Sequence, residues 1–94
     1  MASEQSHVLH DEAELAKIIL RVKRANGQMG AIVKMLDEGR SCDEIVTQMA
    51  AVSKAVHTAA FMLISSSLRE CITDPHGDSE VIVSKLQKLF LSLA

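Results

Sequence analysis

Aromatic residues are almost missing from this chain. Phe61 and Phe90 are the only two, and there is no Trp and no Tyr. Ala, Val, Ile, Leu and Met supply most of the 48% apolar content, a palette that suits helix packing and argues against a sheet sandwich. The formal net charge of −2 gives no global basicity that would by itself point to nucleic acid. No uninterrupted apolar run approaches the roughly 18 residues of a membrane span. The first fifteen residues carry Glu4, Asp11, Glu12 and Glu14 and lack the apolar core of a secretory signal. These absences predict a cytoplasmic protein with no membrane partner. No catalytic triad, phosphate loop or paired-carboxylate arrangement is visible, so an enzyme is not expected. No helix-turn-helix or zinc-finger pattern marks a standard DNA-binding module. Cysteine occurs twice, and in a reducing compartment such a pair is expected to be reactive or metal-binding rather than a structural staple.

What is present is helix. Residues 41–72 contain no Gly and no Pro, and their apolar positions (Ile45, Val46, Met49, Val52, Val56, Ala59, Ala60, Leu63, Ile64, Leu68) recur at spacings of three and four. Ser41 followed three residues later by Glu44 reads as a capping box. Before it, residues 11–37 form an expected first helix with an acidic start and an apolar stripe of Leu15, Ile18, Ile19, Val22, Met29, Ile32, Val33 and Leu36. Gly27 and Gly30 interrupt that helix, a pattern that suggests close approach of another backbone. Gly39 is the expected C-cap. A stop and turn at residues 73–77, containing Pro75 and His76, precedes a third helix capped by Asp78 or Ser79 and ending near residue 92. Residues 1–10 read as a mobile arm, and residues 11–94 as one all-α domain: a long antiparallel hairpin plus a short third helix. A chain of 94 residues with helices this long and apolar is expected to cover itself by oligomerising.

Cys42 and Cys71 stand at the two ends of the second helix. Twenty-nine residues at about 100° each make about eight turns plus 20°, so the thiols share a face; at about 1.5 Å per residue they are roughly 43 Å apart. Disulfide and metal geometry both require a few ångströms. Either the two are unrelated, or a second copy packs antiparallel and brings Cys71 of one chain to Cys42 of the other, twice per symmetric pair. Cys42 would lie in the first helical turn, where unpaired N–H groups favour a thiolate; Arg40 assists and Asp43 and Glu44 oppose. Ser67 and Ile64, four and seven residues before Cys71, share its face, and neither is a ligand for soft metals.

Of the histidines, His7 and His10 lie in the arm and stand three apart, a spacing able to chelate if helical. His57 reads as a surface or interface residue. Lys17, Arg21 and Arg24 share one face of the first helix, with Lys23 near its edge and Lys54 on the second helix. Multiplied by oligomerisation, they form a field able to hold DNA phosphates.

Residues 21–28 (RVKRANGQ), 35–42 (MLDEGRSC) and 46–52 (VTQMAAV) together resemble the CsoR/RcnR family of bacterial transcriptional repressors, over about residues 12–90. The resemblance implies an antiparallel dimer, a disc-like homotetramer, and operator DNA released when an inducer reaches the cysteine site. It implies DNA contacts by Arg21 and Arg24, with Lys17, Lys23 and Lys54 behind them; the Arg that members often carry one position after His57 is here Thr58. Copper-sensing members place Cys, His and Cys where this chain has Cys42, Ser67 and Cys71. Loss of the His resembles the CstR branch, whose thiols are linked across the dimer by low-molecular-weight persulfides. Nickel and cobalt sensors use an N-terminal His, a position His10 matches, but the rest of that set is absent. Formaldehyde sensors carry an N-terminal Pro where residue 2 is Ala. The expectation is a repressor with no cofactor, switched by persulfide at Cys42 and Cys71. The alternatives are a metal-responsive repressor binding Cu(I), or less readily Ni(II) or Zn(II), through Cys42, Cys71 and His10, and a helical metal-buffering or interaction protein with no DNA role.

Overall fold

The computed structural model describes residues 7–73 and 79–93. Among them are three helices and no strand: α1 (Glu12–Asp37), α2 (Cys42–Thr73) and α3 (Ser79–Leu93). The architecture is the all-α hairpin plus short third helix read from the sequence. The turn expected over residues 74–77, with His76, and the cap expected at Asp78 lie outside the described residues.

Local chemistry sets the helix ends. Asp11 is the cap of α1 rather than its first residue: its backbone is extended and its Oδ1 accepts the Glu14 N–H at 3.1 Å. At the other end the Gly39 N–H donates to the Leu36 carbonyl (3.2 Å) and the Arg40 N–H to the Met35 carbonyl (3.0 Å), the paired bonds of a Schellman motif. Gly39 makes this possible with φ +70°. Ser41 Oγ then accepts the Glu44 N–H at 3.3 Å to open α2. The capping box is reshaped, because the Glu44 carboxylate takes the Arg40 guanidinium instead, at 3.0 Å from Nε and 2.6 Å from Nη2.

α1 and α2 pack through a narrow seam. In α1 the buried residues are Ile18, Ala25 and Ile32; in α2 the seam runs through Ile45, Val52, Ala59 and Ser66. Both series step by seven, the coiled-coil interval. Ala25, Ile32, Ile45 and Val52 form one cluster, with Met35 and Ala55 against it. Leu9, Ile18 and Ala59 form a second, flanked by Met62. No described side chain is more completely buried than Ile32, at 2% exposed.

Most of the apolar stripe stays outside that seam. Leu15, Ile19, Val22, Met29, Val33 and Leu36 are 37–56% exposed, and Val46, Met49, Val56 and Leu63 are 42–61% exposed. Apart from Leu15, which stands one turn before Ile19, each follows a seam residue by one or four positions. In antiparallel helices that shared rotational offset falls on one side of the hairpin. A cleft lined by Met29, Ile32, Met49, Val52 and Val56 joins the two stripes. Lys17, Arg21 and Arg24 precede seam residues by one or four positions and occupy the opposite side. By length and composition α2 is apolar enough to cross a bilayer, but α1 would carry these cations into the same slab at high cost.

α3 packs on α2 alone among the described elements. Phe61 and Phe90 meet edge to face, ring centroids 4.9 Å apart. Over residues 80–93 of α3 none is buried, and Leu89 and Leu91 remain 55% and 71% exposed.

The close approach suggested by Gly27 and Gly30 is not made among the described residues, where nothing lies within 4 Å of a Cβ built at either. Gly39→Ala is expected to lower unfolding stability by about 1 kcal/mol through its positive φ. Gly30→Ala is expected to raise it by up to about 1 kcal/mol. Chemical denaturation of both variants checks this; a loss at Gly30 would place another chain's backbone there.

Candidate functional site

Cys42 is the first residue of α2 and exposed; Cys71 is two residues from its end and buried. The helix between them is unbroken, so one chain holds the thiols apart by about 43 Å of helical rise. By helical rotation they lie on the side of α2 that carries Val46, Met49, Val56 and Leu63, and they bracket this uncovered stripe. Ser67, a turn before Cys71, is buried at 4% exposed. Among the described residues no group of three or more His, Cys, Asp or Glu side chains is placed to hold a metal ion.

Residues 7–10 of the arm expected to be mobile lie folded against α2. Leu9 is buried with Ile18 and Ala59. The Glu70 carboxylate accepts the His10 N–H (3.0 and 3.2 Å) and the Asp11 N–H (2.7 Å), and pairs with His7 Nε2 at 2.8 Å. The His7 and His10 rings meet edge to face, 5.9 Å apart. His10 therefore sits at the Cys71 end of the hairpin, far from Cys42 of its own chain. The His10 N–H foremost, against an opposing effect of desolvation, and then the His7 and Asp11 contacts hold the Glu70 carboxyl below its ordinary value of 4.5. The stabilisation it contributes is thus present above that value and lost as pH falls through the lowered one.

One turn earlier, Arg69 Nη2 donates to Ser66 Oγ (3.1 Å), and Ser66 Oγ donates to Glu14 Oε2 (3.2 Å). The other Glu14 oxygen faces Lys17 Nζ at 3.5 Å. Sequence reasoning missed Glu70, Ser66 and Glu14 as a group. Two signals were present: the apolar Leu9 in a polar arm, and Ser66 seven residues after Ala59 in the seam.

The basic residues are exposed. Lys17, Arg21 and Arg24 share the polar side of the hairpin, while Lys23 and Lys54 lie on the outer backs of their helices, level with each other in the register that sets Ala25 against Val52. Thr58 Oγ1 donates to the Lys54 carbonyl (2.9 Å), and His57 Nδ1 donates to the Ser53 carbonyl (2.9 Å), which leaves Nε2 as its outward atom.

Residues 14–92 match the family model described as metal-sensitive transcriptional repressor. The chain belongs to this repressor family. It is 33% identical over 79 residues to the copper-sensing transcriptional repressor CsoR of Bacillus subtilis, covering 82% of this chain and 78% of that one. It is 34% identical over 76 residues to the transcriptional repressor RcnR of Citrobacter koseri, covering 81% and 79%. It is 34% identical over 53 residues to the copper-sensing transcriptional repressor RicR of Mycobacterium tuberculosis, covering 56% and 55%. No solved structure matches the chain. Members of this repressor family are regulators of transcription and not enzymes, which agrees with the absence of catalytic motifs in the sequence.

The separation along α2 makes a sharp prediction for the isolated protein. After mild thiol oxidation, any Cys42–Cys71 disulfide is expected in covalent dimers and none in monomers. Non-reducing electrophoresis with peptide mapping checks it; an intrachain Cys42–Cys71 peptide would require α2 to unfold.

Proposed function

We propose that the chain is a cytoplasmic operator-binding repressor, an antiparallel dimer paired into a tetramer, switched where Cys42 of one subunit meets Cys71 of the partner subunit. The observation that carries this reading is the uncovered apolar stripe on α2 with a thiol at each end. Burying that stripe against an antiparallel copy stabilises the pair by roughly 25 cal/mol per Å² of apolar surface, and the same docking places unlike thiols together at both ends. The polar side of each hairpin, with Arg21 and Arg24 foremost and Lys17, Lys23 and Lys54 beside them, then forms the DNA face.

The inducer we favour is Cu(I). Two of the similar repressors are copper-sensing, and thiolates select this soft ion. The residues fit it as a two-thiolate site across subunits. Cys42, exposed, would bind first, and Cys71 would complete the pair. When bound, Cu(I) supplies a bond between helices that the apo dimer lacks. Ni(II) or Zn(II) would draw on His10, at the Cys71 end, as a further donor.

Ser67 supports a second reading. A hydroxyl stands where a third soft ligand would be wanted, leaving two thiols as the soft donors, a set suited to sulfur chemistry. In that case the Cys42 thiolate takes the outer sulfur of a low-molecular-weight persulfide, RSSH, and RSH leaves. Cys71 of the partner subunit attacks the inner sulfur, releases hydrogen sulfide and closes a disulfide. The persulfide is the oxidant, and two thiols plus RSSH give one disulfide, RSH and hydrogen sulfide.

The test is anisotropy with duplex DNA from immediately upstream of the chain's own coding sequence. Reduced protein is expected to bind, stoichiometric Cu(I) to release it, and Cys42→Ser to stay bound. Release by glutathione persulfide alone would move the inducer to sulfur; no binding even at low salt would overturn the repressor reading. Arg21→Ala and Arg24→Ala are expected to weaken binding alike on all sequences and to reduce the salt slope by about 1 for each phosphate that is no longer neutralised.

A further inference from the structure

The last turns of α2 hold the first turn of α1 at two points. Glu70 accepts both the His10 and Asp11 N–H groups and pairs with His7. Ser66 donates to Glu14 while accepting from Arg69. Ser66 is 4% exposed, and the Glu70 and Glu14 side chains are each 23% exposed; the Ser66 bonds and the His7–Glu70 pair are partly buried, while the His10 and Asp11 amide bonds to Glu70 are exposed. Glu70 directly precedes Cys71, and Ser66 precedes it by five residues. On the α1 side, Glu14 also faces Lys17, and Asp11 caps the helix that goes on to carry Arg21 and Arg24. A helix is stiff along its axis, so fixing its first turn fixes where those cations stand.

We propose that Glu70 and Ser66 are positioning residues: they clasp the start of α1 to the thiol-bearing end of α2, so that the state of Cys71 sets the placement of Lys17, Arg21 and Arg24 on DNA. This rests on the repressor reading above and adds the link inside one subunit between its inducer end and its DNA face. Joining Cys71 to the partner subunit's Cys42 pulls on the last turn of α2. The Glu70 carboxylate turns with that backbone and its bonds to His10 and Asp11 open. Freed at its cap, α1 shifts about the seam, and the spacing of the basic side chains changes. The clasp is a two-state element of the kind that coupling between distant sites requires.

Two measurements on the full chain test it. In the first, operator affinity is compared with and without Cu(I), and separately glutathione persulfide, for the parent and for the Ser66→Ala/Glu70→Ala variant. If the parent's affinity falls at least about tenfold, the variant's is expected to change by less than about threefold, with Cu(I) stoichiometry at the thiols unchanged and Glu70→Gln intermediate. A variant that keeps the parent's ratio overturns the clasp. In the second, which needs no variant to fold, amide exchange is followed in the parent. The His10 and Asp11 amides are expected to exchange faster once the inducer is bound, and unchanged protection overturns the clasp. A parent that never leaves DNA with either inducer overturns the reading of Cys42 and Cys71 as the inducer site and this proposal together; a responsive parent with an equally responsive variant overturns the clasp alone.

Discussion

Everything in this chain follows from how narrow the α1–α2 seam is. Burial at every seventh residue engages a strip about one side chain wide on each helix. Ile18, Ala25 and Ile32 meet Ile45, Val52 and Ala59, and two of the six are alanines. That strip aligns the hairpin but leaves its apolar side wet, with Met29, Val33, Val46 and Met49 each about half exposed or more. For 94 residues this is a poor solution as a monomer and a sound one as a subunit. The deficit in the core is also what makes a second copy of the chain the natural occupant of the uncovered side.

In the dimer proposed above, the same geometry makes Cys42 and Cys71 a pair. A thiol at each end of a 32-residue helix cannot report on its partner within the chain, and stiffness along the helix axis prevents the ends from folding together. The antiparallel pairing we propose converts that separation into adjacency, twice. On that proposal the sensor reads assembly and inducer at one place, since Cys42 and Cys71 meet only across the dimer. The same proposal puts the inducer's leverage on the terminal turns of α2, where Glu70 and Ser66 hold α1, rather than in the middle of the bundle.

Local chemistry was the legible part of the sequence. The helix bounds, the positive φ at Gly39 and the cap at Ser41 follow from rules acting over three or four residues, and the structure differs from them by a residue or so. The apolar stripe was legible as a stripe, but its division into a buried seam and an exposed side was not. Ile18 and Ile19 look alike in sequence and differ only in where the second helix lies. The bonds of Glu70 to His10 and Asp11 span about sixty residues and depend on the register between α1 and α2, which periodicity alone does not fix. The Glu44 of the capping box was diverted for a similar reason: a guanidinium four residues back is a stronger partner for a carboxylate than a backbone N–H.

The choice of inducer turns on what stands beside the thiols. A metal sensor gains selectivity from the number and softness of its donors, and with Ser67 where a third donor would stand, a two-thiolate site discriminates chiefly by softness. That favours Cu(I) over Ni(II) or Zn(II), which would need His10 and a change in the arm that Glu70 now holds. A persulfide needs no third donor, only two thiols that meet in the right order, one exposed and one shielded. The asymmetry of Cys42, exposed, and Cys71, buried, therefore suits either proposed chemistry. What separates them is the strength of the link formed: a covalent sulfur bridge persists until it is reduced, whereas a two-coordinate thiolate complex is lost to competing thiols. The first makes a switch that records exposure, and the second one that follows the free ion.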